Sequence, residues 1–147
     1  MEAILFIGIQ ASGKSTFYKE RFFTTHLRLS LDMLRTRHRL GVLMQACLQT
    51  QQRFVIDNTN LETAQRALYI QSAKVAQFKV SGYFFVPDVS RSLTWNSQRI
   101  GKERVPDVAI LGSIKRLERP SITEGFDTLY KVSLNGNGLF EIEEMQT

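Results

Sequence analysis

Gly8-Ile9-Gln10-Ala11-Ser12-Gly13-Lys14-Ser15, continued by Thr16, follows directly on the apolar run Ala3-Ile4-Leu5-Phe6-Ile7. The eight residues fit the pattern GxxxxGK(S/T), and their flanks supply the context that the pattern requires. A short apolar run suits a buried parallel strand, and the stretch from Lys14 to Phe23 reads as helix. A glycine loop between a strand and a helix wraps an anion. Glycine lets backbone amides turn inward, the helix N-terminus points at the anion, and Lys14 sets a point charge between the outer phosphates. Ser15 offers its hydroxyl to Mg²⁺. The backbone from Gln10 through Ala11, Ser12 and Gly13 to Ser15 supplies donors, with Gly8 opening the loop and Thr16 following it. The expected ligands are therefore the phosphates of a nucleotide and Mg²⁺.

Outward from this loop, strand and helix alternate. Leu27 to Leu31 reads as a second strand and Asp32 to Thr50 as one long helix, with Leu34, Leu40, Leu43 and Cys47 at helical spacing. Arg53 to Asp57 is a third strand, Leu61 to Ala76 a helix, and Lys79 to Val86 a fourth strand. Asp88 to Arg99 reads as a helix capped by Asp88, Ile100 to Val105 as a polar, mobile loop, and Pro106 starts a helix through Leu117. Leu129 to Leu134 and Leu139 to Ile142 are weaker strand candidates around Asn135-Gly136-Asn137-Gly138. The expected class is α/β, a three-layer P-loop NTPase fold with a mostly parallel sheet of about five strands, helices on both faces and a short lid.

Three further charged positions fall where ligands meet a parallel sheet. Asp32 lies just past the second strand, placed to orient an attacking alcohol and accept its proton. It also has the residue type of an N-cap for the long helix, and the two roles are compatible. Arg35, three residues on, would share its helix face. Asp57 ends the strand Phe54-Val55-Ile56, as expected of a carboxylate that holds Mg²⁺ opposite Ser15. Asn58, Thr59 and Asn60 after it suit turn and cap roles as readily as substrate contact. Arg99 opens the polar loop, a suitable place to bring positive charge to a transferring phosphoryl group, whereas Lys102 and Arg104 read as solvated surface.

Composition bounds the rest. The chain has 147 residues, 43% hydrophobic and 22% charged, which suits one compact domain over residues 1–147 and excludes disordered and fibrous classes. One Cys, Cys47, and two His exclude an internal disulfide and a Cys- or His-based metal centre. The apolar run at the N-terminus is too short to span a membrane and lacks the flanks of a signal peptide, so a cytoplasmic protein is expected. The net charge is +5. The excess sits in two stretches, Lys19 to Arg39 and Arg91 to Arg119, each with a local surplus of four positive charges. Together they suit a phosphate-attracting groove; taken singly, each also suits a solvated helix face. A switch GTPase is disfavoured because no NKxD string occurs, and a motor ATPase because such machines need further domains. A phosphotransferase is the better use of so short a chain.

Taken together, GIQASGKSTF, LSLDMLR, RFVIDNTN, the Arg99 segment and RPSITEGF resemble the 5′-hydroxyl kinase domain of polynucleotide kinases, above all the kinase half of the polynucleotide kinase/phosphatase enzymes. The resemblance implies that Lys14 and Ser15 hold ATP phosphates and Mg²⁺, that Asp32 is the general base for the acceptor 5′-hydroxyl, that Arg35 contacts an acceptor phosphate and that Arg99 acts from the lid. Leu31 stands where family members often have an arginine before the aspartate, and Trp95 where some carry a basic residue. No DxDxT phosphatase string occurs, so a kinase module alone is expected. The implied reaction is transfer of the ATP γ-phosphate to a 5′-hydroxyl end of DNA or RNA. The alternatives are a small-molecule or nucleoside kinase of the same fold and a non-catalytic ATP-binding regulatory protein.

Overall fold

The computed structural model describes residues 1–145. The strands are β1 (Glu2–Ile7), β2 (Leu27–Leu29), β3 (Phe54–Asp57), β4 (Lys79–Phe85), β5 (Thr128–Leu134) and β6 (Phe140–Glu144), and the helices are α1 (Lys14–Arg21), α2 (Leu31–Leu34), α3 (Arg37–Thr50), α4 (Thr63–Val75), α5 (Val89–Ser97) and α6 (Asp107–Arg116). One six-stranded sheet runs in the order β2-β3-β1-β4-β5-β6, parallel except for β6. This is the α/β P-loop architecture that the sequence implies. The Asp57 strand lies directly beside the strand that feeds the phosphate loop, with Phe6 in register with Asp57.

The alternation of β1 explains both layers. Ala3, Leu5 and Ile7 point into a core shared with Leu40, Met44 and Leu48 of α3 and Ile70 and Ala73 of α4. Ile4 and Phe6 point the other way, against Phe17 and Tyr18 of α1 and nearby Phe22. On that second face Phe17 packs edge-on against Phe6 at 5.8 Å and Phe85 at 5.4 Å between ring centroids. Truncating such a ring typically costs about 3–5 kcal/mol, so this cluster fixes the loop-bearing helix on the sheet.

Three expectations need correction. The expected helix from Asp32 to Thr50 is two helices. Arg35 has φ 74°, a left-handed value that no helix interior accommodates, and Thr36 restarts the chain as N-cap of α3, its hydroxyl accepting from the Arg39 amide at 3.1 Å. Arg35 thus follows the end of α2 and does not share a continuous helix face with Asp32. Ser30, not Asp32, occupies the N-cap position of α2, and Leu43 is exposed on α3. The weaker strand candidate from Leu139 to Ile142 does form, as β6, because Asn135 builds the reversal: its Oδ1 accepts from the amides of Asn137 at 2.8 Å and Leu139 at 3.1 Å. Among the described residues no helix is long and apolar enough to cross a membrane.

Candidate functional site

The phosphate loop is anchored at both ends. The Gly8 amide donates to the Thr59 carbonyl at 2.9 Å, and a Cβ at Gly8 would come within 2.9 Å of the Phe85 Cβ, so only glycine fits beside β4. Ala11 (φ 54°) and Gly13 (φ 97°) take left-handed conformations that curl the loop into the start of α1. The Phe140 ring lies 3.1 Å and Trp95 3.9 Å from where a Gly13 Cβ would be, so β6 and α5 both cover this turn. Ser92 of α5 donates to the Ala11 carbonyl at 2.9 Å. Within the loop, the Ser12 hydroxyl and Gln10 Oε1 are buried with no protein partner. Thr16 is exposed at the first turn of α1.

Lys14 folds back over its own loop, donating to the carbonyls of Gly8 at 3.0 Å and Ile9 at 2.8 Å. Burial pushes its ammonium down to about 8; the Asp57 carboxylate opposes that, the Arg99 guanidinium adds to it, and Asp32 opposes it. Asp57, Arg99 and Asp32, from three separate stretches of chain, therefore all act on the Lys14 ammonium. Arg35 stands apart, exposed at the left-handed break.

Asp32 is exposed in the first turn of α2. Its helix is held by Asn58, whose Oδ1 accepts from the Leu31 amide at 2.9 Å, so the residue after Asp57 positions the Asp32 turn. Asp57 itself is buried, its side chain 2% exposed, and Arg28 Nε donates to its Oδ2 at 2.7 Å. The same guanidinium donates through Nη2 to the Ser15 hydroxyl at 3.1 Å. One hydroxyl and one buried carboxylate are oxygen donors of the kind that Mg²⁺ takes together with nucleotide phosphates, and the loop amides beside them suit those phosphates.

Beyond the loop, Asn60 (φ 46°) donates through Nδ2 to the Phe6 carbonyl at 2.7 Å, tying the segment after β3 to β1. Arg66, fully buried on α4, donates to the Asn60 and Leu61 carbonyls and makes a two-pronged contact with Glu124. This joins the IDNTN and SITEGF segments physically. The lid segment is pinned rather than loose: Asn96, fully buried, donates to the Val105 carbonyl at 2.6 Å and accepts from the Val105 amide at 3.0 Å. A single 3₁₀ turn, Gly101–Glu103, fills the loop between them, and Arg99 Nη1 reaches the Glu103 carbonyl at 3.3 Å. Lys102 and Arg104 are exposed.

Arg28, Arg66, Asn96 and the Asn58 contact escaped the sequence reading. Arg28 carried one usable signal. It interrupts the apolar pair Leu27 and Leu29 on a strand, on the face that Asp57 shares one strand away.

Residues 4–120 match the AAA domain family. The chain belongs to that family. Within it, this is a P-loop, kinase-like domain. It is 24% identical over 135 residues to the bifunctional polynucleotide phosphatase/kinase of Schizosaccharomyces pombe, an alignment that takes in 89% of this chain and 33% of that protein. The chain thus spans about a third of the length of that relative. Among solved structures, this AAA-family domain is similar to Chaetomium thermophilum Kti12 in complex with ADP-AlF3, with TM-score 0.68 and 17% identity over 89% of this chain and 88% of that one. It is also similar to an AvrRxo1-ORF1:-ORF2 complex with ATP, with TM-score 0.73 and 13% identity over 96% of this chain and 57% of that one. Both likenesses are of fold.

Proposed function

We propose that this domain is a Mg²⁺-dependent ATP phosphotransferase that acts on the 5′-hydroxyl end of DNA or RNA. The observation that carries the reading is a strand-loop-helix anion cradle in which Lys14 folds over the loop carbonyls and Arg28 holds Asp57 beside Ser15, with Asp57, Arg99 and Asp32 each acting on the Lys14 charge. Support for the acceptor comes from the curated relative, a polynucleotide phosphatase/kinase, and from the cations Arg35, Arg37 and Arg39, all exposed on the stretch of chain that follows Asp32.

In this reading the loop amides from Gln10 to Ser15 and the Lys14 ammonium hold the ATP phosphates. Ser15 and Asp57 are the residues that would hold Mg²⁺, which neutralises charge on the phosphates. Asp32, exposed at the start of α2, accepts the proton of the acceptor hydroxyl as its oxygen bonds to the γ-phosphorus. The bond from that phosphorus to the bridging oxygen breaks, and ADP leaves with the electron pair. Arg99 lends positive charge from the lid side, and Arg35 meets a phosphate of the acceptor strand. The exposure of Asp32 suits this task, since a base that receives a bulky polymer end must be reachable.

The test is incubation of the protein with γ-labelled ATP, Mg²⁺ and a 5′-hydroxyl oligonucleotide. Label on the 5′ end is the expected result. Label on a nucleoside or other small alcohol in place of the oligonucleotide would overturn the polynucleotide acceptor, and tight ATP binding with transfer to neither would overturn the kinase reading in favour of a regulatory nucleotide binder.

A further inference from the structure

Arg28 touches both groups assigned to the metal. Its register partner on β3 is Val55, two residues before Asp57, so Arg28, Val55 and Asp57 lie on one face of the sheet, beneath the first turn of α1. From there Nε reaches Asp57 Oδ2 at 2.7 Å and Nη2 reaches Ser15 Oγ at 3.1 Å. A carboxylate only 2% exposed needs a counter-charge, and Arg28 supplies it. The guanidinium also uses one lone pair of the hydroxyl that would ligate Mg²⁺. A divalent ion on the same oxygen would stand next to a fixed positive charge and would share with it the one carboxylate that neutralises both.

We propose that Arg28 is a positioning residue that competes with the divalent cation. Its guanidinium holds the Asp57 carboxylate and the Ser15 hydroxyl together, and binding of Mg²⁺ with the nucleotide proceeds by release of the Ser15 contact while the Asp57 contact stays. Arg28 then sets how much magnesium the site requires. No covalent step is involved. The inference rests on reading the loop as a magnesium-nucleotide site.

The experiment measures ATP binding through the fluorescence of Trp95, the one tryptophan of the chain, which packs near Gly13 of the loop. Dissociation constants are taken in EDTA and over a series of Mg²⁺ concentrations for the wild type, Arg28→Gln and Arg28→Lys, with thermal unfolding as a check on folding. Arg28→Gln is expected to lower the Mg²⁺ concentration of half-maximal effect about tenfold and to weaken ATP binding in EDTA several-fold, because a positive charge beside the phosphates is gone. Arg28→Lys, whose single ammonium cannot reproduce the two-pronged contact, is expected to fall between. An unchanged or raised magnesium requirement in both variants would overturn the inference and leave Arg28 a tether for Asp57. If wild-type ATP binding ignores magnesium altogether, the magnesium reading itself fails and this inference with it, a result distinguishable because it needs no variant.

Discussion

Arg66→Met tests the joint that holds the segment after β3 in place. Arg66 is 0% exposed and Glu124 10% exposed, and the guanidinium spends Nε and Nη2 on the two Glu124 oxygens at 2.8 and 3.0 Å and Nη1 on the Asn60 and Leu61 carbonyls at 2.9 and 3.0 Å. Methionine keeps the aliphatic volume but takes the guanidinium from a nearly buried carboxylate, which retains only the Ser121 amide at 2.9 Å, and leaves the Asn60 carbonyl without its donor, while the Leu61 carbonyl keeps the Glu118 amide at 2.8 Å. Removing one partner of a buried pair costs about 3–5 kcal/mol, a large share of the roughly 5–15 kcal/mol by which domains are stable. At about 3 °C per kcal/mol for a chain of this size, the midpoint of thermal unfolding should fall by roughly 10 °C. Urea unfolding of wild type, Arg66→Met and the double variant Arg66→Met/Glu124→Gln gives the free energies directly. The double variant, which no longer strands a charge, should recover at least about 1 kcal/mol. A loss below about 1 kcal/mol for Arg66→Met, or no recovery in the double variant, would refute the argument that this contact is a buried, coupled ion pair.

Two further predictions concern charge and the lid. With the Lys14 ammonium pushed down to about 8, the folded chain binds fewer protons at this residue than the unfolded chain between about pH 8 and 10.5, so the Lys14 contribution to stability rises with pH across that window. Phosphate binding favours the charged form, so ATP affinity should be level below about pH 8 and fall by up to tenfold per pH unit above it. Titration of ATP affinity from about pH 7 to 9.5 checks this, and a flat profile contradicts it. For Asn96→Ala, loss of both hydrogen bonds to Val105 should cost about 1–3 kcal/mol locally and speed hydrogen exchange at the Val105 amide, while exchange in β1 stays slow. Equal protection of Val105 in variant and wild type would show that Asn96 does not pin the lid.

The sheet, the loop and the placement of Asp57 were legible because each rests on local pattern. An apolar run before a glycine turn is a strand end, and a carboxylate closing an apolar strand sits where that strand ends. The break between α2 and α3 was not legible, since the stretch from Asp32 to Thr50 has helical residue types throughout and only the left-handed turn at Arg35 and the Thr36 cap divide it. Glu141, Glu143 and Glu144 make β6 read as a weak strand, yet at the sheet edge such residues project into water while Phe140 covers Gly13. Arg66 and Arg28 were out of reach for another reason. Each arginine reads as surface charge until the fold brings its carboxylate partner, 58 residues away for Arg66 and 29 for Arg28.

The central claim is that Asp32 takes the proton of an acceptor hydroxyl beside a bound ATP. Single-turnover transfer of labelled γ-phosphate to a 5′-hydroxyl oligonucleotide, measured for wild type and Asp32→Asn beside the ATP dissociation constant of each, tests it most directly. The account predicts a fall in transfer of at least about 100-fold with ATP affinity nearly unchanged. Transfer by Asp32→Asn at the wild-type rate would contradict it and leave Asp32 an ordinary residue in the first turn of α2.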